Sequence, residues 1–215
     1  MDQAEFLHCK FIPRCYFEPA GQDCGTIYDE TVACPHCGVG AKQISPLRLR
    51  LSSIPKSVDC AVTIAEVERI FSNRLLAALG KAEITGLRTE KIETASKKAV
   101  RSAADIPWKQ VFSEGPLIQL SPKTVTGNEP EDYDDKNEYR CVCGHWCGLR
   151  VLSELHVDRN DLPILDFGMT ACHFGRARGK GVIRQRQAII VSQKFRRAFE
   201  AGGFKGLQFE IVRVV

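Results

Sequence analysis

The chain aligns with itself, and that repeat constrains its fold more than any other feature. IFSNRLLAALGKAEITGLRTEKI, residues 70–92, matches IVSQKFRRAFEAGGFKGLQFEIV, residues 190–212, without a gap at a constant offset of 120. Six of the 23 positions are identical: Ile70/Ile190, Ser72/Ser192, Ala78/Ala198, Gly86/Gly206, Leu87/Leu207 and Glu90/Glu210. Apolar character persists at Leu75/Phe195, Leu79/Phe199, Ile84/Phe204 and Ile92/Val212. Each copy reads as a short extended segment, a serine that caps a helix of two to three turns, a glycine turn and a strand. In the first copy Ile64, Val67, Phe71, Leu75 and Leu79 also have helical spacing, which would start that helix near residue 64.

A cysteine knuckle stands before each copy: CPHCG at 34–38 and CVCGHWCG at 141–148. Zinc takes four ligands in a tetrahedron, and two residues between cysteines let both sulfurs reach one ion from a single tight turn. Gly38 after Cys37 suits that turn, because glycine accepts the positive φ that brings backbone N–H groups towards sulfur. A second pair closes the site: Gly144 follows Cys143 and Gly148 follows Cys147, so either glycine fits. Cys34, Cys37, Cys141, Cys143 and Cys147 are therefore the candidate ligands of a structural four-cysteine zinc site, with His36 and His145 as substitutes for a missing thiolate. Such a site has no open position for water and acts as a staple.

CPHC also occurs as the redox motif of thioredoxin-like folds, where it opens a helix whose N-terminus lowers the thiol pKa. Here GVGAKQISP follows, with glycines and a proline that leave no helix to expect. Cys60 and Cys172 read as core residues. Cys9, Cys15 and Cys24 form a looser set in which a second metal site is the functional alternative.

With 44% hydrophobic and 26% charged residues and a net charge of +4 over 215 residues, composition argues for a folded chain rather than a disordered or membrane one. No apolar run approaches the ~20 residues that a spanning helix needs. The start, MDQAEFLHCKFIPRC, lacks the basic and apolar regions of a secretory signal, so a cytoplasmic location is expected. Ten cysteines would suit a disulfide framework in a small secreted domain; in a longer chain without that signal they point to metal.

Charge is segregated. GNEPEDYDDKNEY, residues 127–139, holds Glu129, Glu131, Asp132, Asp134, Asp135 and Glu138 against one lysine, and should be an exposed loop. Glu129, Glu131, Asp132, Asp134 and Asp135 are the candidate contacts for a basic partner protein. GRARGKGVIRQRQ, residues 175–187, carries Arg176, Arg178, Lys180, Arg184 and Arg186 and should be a solvated loop running into the strand QAIIV. Nucleic-acid contact is its functional alternative, but only Phe174 lies near it and no aromatic platform is interleaved. His156 and Asp158 flank Val157 as strand or loop alternation would place them. No phosphate loop, nucleophile elbow or zinc-protease helix is present. Neither catalytic residues nor a small-molecule substrate are expected.

With these residues in view, the chain resembles the bacterial double-CxxCG motif family, linked to immunity proteins that neutralise toxins in interbacterial competition. The resemblance rests on CPHCG, GLRTEKIE at 86–93, CVCG at 141–144, DLPILDFG at 161–168 and IIVSQKFRRAFEAGGFKGLQFEIVRV at 189–214, over residues 30 to 215. Spacing to DLP is more family-like with Gly144 as the motif glycine, which favours Cys141 and Cys143 and makes Cys147 the alternative. The departure is C-x-C-G in place of C-x-x-C-G, and it bears on the fourth ligand.

The expectation is thus an α+β protein of two related halves, each a small sheet with a helix, bridged by the zinc site. The first half spans 1–125, an acidic linker 126–139 and the second half 140–215. What the resemblance implies is function by binding: a cytoplasmic, non-enzymatic protein whose partner is a cognate toxin. The alternatives are a zinc-stapled nucleic-acid-binding regulator using the 176–186 arginines and a thiol oxidoreductase.

Overall fold

In the computed structural model the described residues are 4–36, 38–64, 68–95, 106–124, 126–127, 150–151, 154–162, 165–174 and 186–215. They form an α+β fold. The first part of the chain contributes β1 (Phe6–Phe11), β2 (Tyr16–Phe17), β3 (Tyr28–Asp29), β4 (Lys42–Gln43), β5 (Leu47–Leu49), β6 (Cys60–Thr63), β7 (Arg69–Ser72), α1 (Asn73–Lys81) and β8 (Leu87–Thr94). The second contributes β9 (Trp108–Ser113), β10 (Thr126–Gly127), β11 (Arg150–Val151), β12 (Leu155–Val157), β13 (Phe167–Phe174), β14 (Arg186–Ser192), α2 (Gln193–Ala201) and β15 (Leu207–Val214).

The repeated segments fold as read. Ser72 Oγ accepts from Leu75 N at 3.1 Å, and Ser192 Oγ accepts from Phe195 N at 3.2 Å. Each serine satisfies an amide that the first helical turn cannot pair internally. We expect Ser192→Ala to lower stability by about 1 kcal/mol, read as a shift in the urea midpoint at unchanged slope. A helix from residue 64 does not form, because 69–72 is strand. Its side chains alternate between faces: Ile70 packs in one core and Phe71 in another, on opposite sides of one sheet.

Two larger sheets carry the fold, in the orders β2-β6-β7-β9-β8-β5 and β12-β15-β1-β14-β13. The strands flanking each helix are not neighbours, because one strand is inserted between them. In the first sheet the insert is β9, which pairs antiparallel with β7 and β8. In the second it is β1, antiparallel to β14 and β15. Sheet membership therefore does not follow the 1–125 and 140–215 division, since residues 6–11 lie at the centre of the second sheet.

Registers agree as well as order. Gln110 sits between Ile70 and Glu90, and His8 sits between Ile190 and Glu210. On the outer side β5 runs parallel to β8 with Leu47 opposite Ile92, and β12 runs parallel to β15 with Leu155 opposite Val212. At the opposite edge Phe17 pairs with Thr63, and Ile118 bridges Thr170, again in parallel. A 3-10 turn follows both β5 and β12, at Leu51–Ser53 and Arg159–Asp161. β9 and β1 thus hold matching central positions in the two sheets.

Three cores result. A central one joins both helices to both sheets through Leu7, Phe71, Leu75, Leu79, Phe167, Val191, Phe195 and Phe199. Its rings touch at centroid distances of 5.5 to 6.5 Å from Phe71 and Phe167 through Phe195 and Phe199 to Phe204 and Phe209, the range of favourable edge and offset contacts. The remaining cores cover the other face of each sheet, one built around Leu47, Ile70 and Ile92, the other around Leu155, Ile190 and Val212. Among the described residues no helix is long and apolar enough to cross a membrane.

Candidate metal centre and the contact between the sheets

Cys34 lies in the connection of a small hairpin. β3 pairs antiparallel with β4, and Ile44 N donates to Ile27 O at 3.0 Å below them. An Asp29–Thr31 turn starts the connection, with Asp29 Oδ1 accepting from Thr31 N at 2.9 Å. Cys34 N donates to Val39 O at 2.8 Å and Gly38 N donates to Cys34 O at 2.7 Å, closing a loop around the CPHCG residues. Gly38 and Gly40 have φ of +71° and +95°, the left-handed conformation that glycine adopts without strain. Buried Val39 and the half-buried Cys34 complete the turn, while His36 is exposed.

The hairpin is fixed to the first sheet by polar contacts that sequence reading did not single out. Tyr28 Oη donates to Glu68 Oε1, whose other oxygen accepts from Thr63 Oγ1 at 2.7 Å. Gln43 and Gln110 exchange amide hydrogen bonds of 3.0 and 2.7 Å. Glutamine, tyrosine and glutamate are common surface residues, and nothing in their local pattern announces these partnerships.

β10 and β11 form the counterpart hairpin. Thr126 pairs with Val151 and Gly127 with Arg150, as Tyr28 pairs with Gln43 and Asp29 with Lys42. In chain order CVCGHWCG falls between β10 and β11, as CPHCG falls between β3 and β4. Cys37 stands five positions before Lys42; counting five back from Arg150 arrives at His145, between Cys143 and Cys147. Strand register leaves both open.

Of the five candidate ligands only Cys34 is among the described residues; Cys37, Cys141, Cys143 and Cys147 lie outside them, as do Glu129, Glu131, Asp132, Asp134 and Asp135. Among the described residues no group of three or more His, Cys, Asp or Glu side chains is placed to hold a metal. The amino-terminal cysteines do not assemble into one. Cys9 and Cys15 are buried with Cys60, and Cys24 stands apart from the cores. Burial pushes the Cys9 and Cys60 thiols well up and the Cys15 thiol to about 11, which suits packing and not thiolate chemistry. Among the described residues no disulfide joins Cys9, Cys15, Cys24, Cys34, Cys60 and Cys172.

The redox pattern is not reproduced either, because the residues after Gly38 form a turn and β4 instead of a helix. His156 lies in β12 with Nδ1 3.0 Å from Glu154 O. Phe174 is buried and offers no stacking face beside the arginine run.

Between the sheets two aspartates make matching latches. Asp59 O accepts from Ser72 N at 2.7 Å, and its carboxylate takes Arg74 on both oxygens at 2.8 Å and Lys205 N at 3.1 Å. Asp166 O accepts from Ser192 N at 3.0 Å; its carboxylate takes Ser192 Oγ at 2.6 Å, Thr85 N at 3.1 Å and Lys194 Nζ at 3.6 Å. Arg74 matches Lys194 and Thr85 matches Lys205 in the repeat. Each aspartate therefore ties its own helix start to the glycine turn of the other segment. Burial raises the Asp166 pKa, but the hydrogen bonds from Ser192 and Thr85 and the charge of Lys194 outweigh it, and the net direction is down.

No protein-family model matches the chain, and no curated protein matches it.

Proposed function

We propose that the protein works by binding: it is a cytoplasmic immunity protein that neutralises a cognate bacterial toxin, built from two related halves around a structural zinc ion. The observation that carries this reading is the pair of register-equivalent hairpins, one with CPHCG and the other with CVCGHWCG in its connection. Duplication explains why both knuckles are present and why both glycine turns, both serine caps and both aspartate latches recur. The resemblance to the double-CxxCG motif family supplies the link to toxin neutralisation.

Zinc fits the donor set. Cys34 and Cys37 would provide two thiolates, and two of Cys141, Cys143 and Cys147 the others. When bound, the ion supplies a cross-link between distant parts of the chain and no open coordination position. We expect about one zinc per chain on the tetrahedral four-ligand rule, measured by elemental analysis of protein purified without chelator. The Cys34→Ser variant should lose it. Zinc retained in full by that variant would remove Cys34 from the site.

The toxin reading has its own test. A neighbouring reading frame should be lethal when expressed alone and harmless when co-expressed with this chain. A neighbour that is harmless alone, or that kills despite co-expression, would count against immunity. Glu129, Glu131, Asp132, Asp134 and Asp135 are the first residues to neutralise in that assay, because complementary charge speeds association with a basic partner.

A further inference from the structure

We infer that the gap between the two strands flanking each helix is a strand-docking slot, and that its ligand is the first strand of another unit of this kind. Within the chain β9 fills the slot between β7 and β8, and β1 fills the slot between β14 and β15. The exchange is reciprocal, so each unit is completed by a strand from outside itself. Between molecules, the occupant is β1 of a second copy of this chain.

The chemistry of the slot is specific. It offers hydrogen-bonding groups on two sides: β1 registers Phe6 to Cys9 on β14 and Leu7 to Phe11 on β15. Above and below, it requires apolar groups facing different cores. Leu7 and Cys9 enter the central core, whereas Phe6 enters the outer core with Ile190 and Val212. An edge-binding peptide uses one row of amides; this ligand uses two and places side chains in two cores, a more demanding fit. Exchange of equivalent elements between copies is a low-cost route to association, because the contacts made are those already present. The inference depends on neither zinc nor toxin.

The first test cuts the full-length chain at a protease sequence inserted after residue 100. The two pieces should remain a 1:1 complex with the mass of the uncut chain. Two separate, folded pieces would overturn the proposal, since each unit would then close on its own strand. The second test opens the slot with Leu7→Asp in the full chain and adds a fluorescent peptide of residues 4–12. The native peptide should bind at least tenfold more tightly than the same peptide carrying Leu7→Asp. Equal binding of the two, or no binding by a folded Leu7→Asp chain, would overturn it. If Leu7→Asp prevents folding, the cut chain decides.

Discussion

Gly206→Ala is expected to destabilise the protein by about 3 kcal/mol or more, with Gly86→Ala close behind. Gly206 has φ of +126°, and a Cβ there would lie 2.6 Å from Cys60 O and 2.7 Å from Cys60 Sγ. Gly86 has φ of +84°, and its Cβ would lie 2.4 Å from Phe167 O. Left-handed backbone costs an L-residue roughly 1–2 kcal/mol, and overfilling a packed site typically adds about 1–3 kcal/mol. The obstacle at both positions is a carbonyl of a strand in the opposite sheet, so a side chain cannot rotate to relieve it. Gly80 is the control: it is helical, and a Cβ there meets nothing within 4 Å. Gly80→Ala should hold or raise stability by up to about 1 kcal/mol. Urea midpoints for the three variants decide the matter, and a Gly206→Ala midpoint equal to wild type would show that the turn yields.

Acid should weaken the protein through His8 as pH falls below 6.5. Burial, with the charges of Lys10 and Arg186 and against that of Glu210, lowers the His8 pKa from 6.5 to about 4. The folded state therefore holds His8 neutral while the unfolded chain takes up the proton. The contribution is fully present above pH 6.5, is lost as pH falls from 6.5 towards 4, and levels off below that. With the His8 side chain 13% exposed, the span corresponds to about 3 kcal/mol at 1.36 kcal/mol per pKa unit. Gln110 occupies the matching position in the other sheet, which makes His8→Gln the natural variant. Unfolding free energies between pH 7.5 and 4.5 should fall less steeply for His8→Gln than for wild type. Parallel slopes would show that His8 is not the titrating group.

Much of this was legible in the sequence because it is local. Serine caps, nine-residue helices and glycine turns depend on neighbours a few positions away, and a gapless offset preserves them. The pairing of Gly86 with Gly206 pointed to two close approaches between the sheets, although identity alone did not say what approached them. The exchanged strands were not legible. FLHCKF and WKQVFS share a place in the register but little residue pattern, and a strand's partner is chosen by the whole sheet. Cys9 and Cys15 were open to a metal reading for a similar reason: spacing does not reveal burial, and burial is what makes them core.

Reciprocal strand exchange also sets an order of events during synthesis. The first sheet can close once β9 has followed β8, with all its strands drawn from residues up to 113. The second cannot, because Leu7 pairs with Ile211. Its central strand is among the earliest parts made and its neighbours among the last, so β1 emerges from the ribosome long before anything can pair with it. Non-local pairings of this kind are slow to form and leave strands transiently open to aggregation. A nascent chain stalled before residue 186 would present β1 as an unclaimed apolar segment, which makes it the natural place for a chaperone to hold.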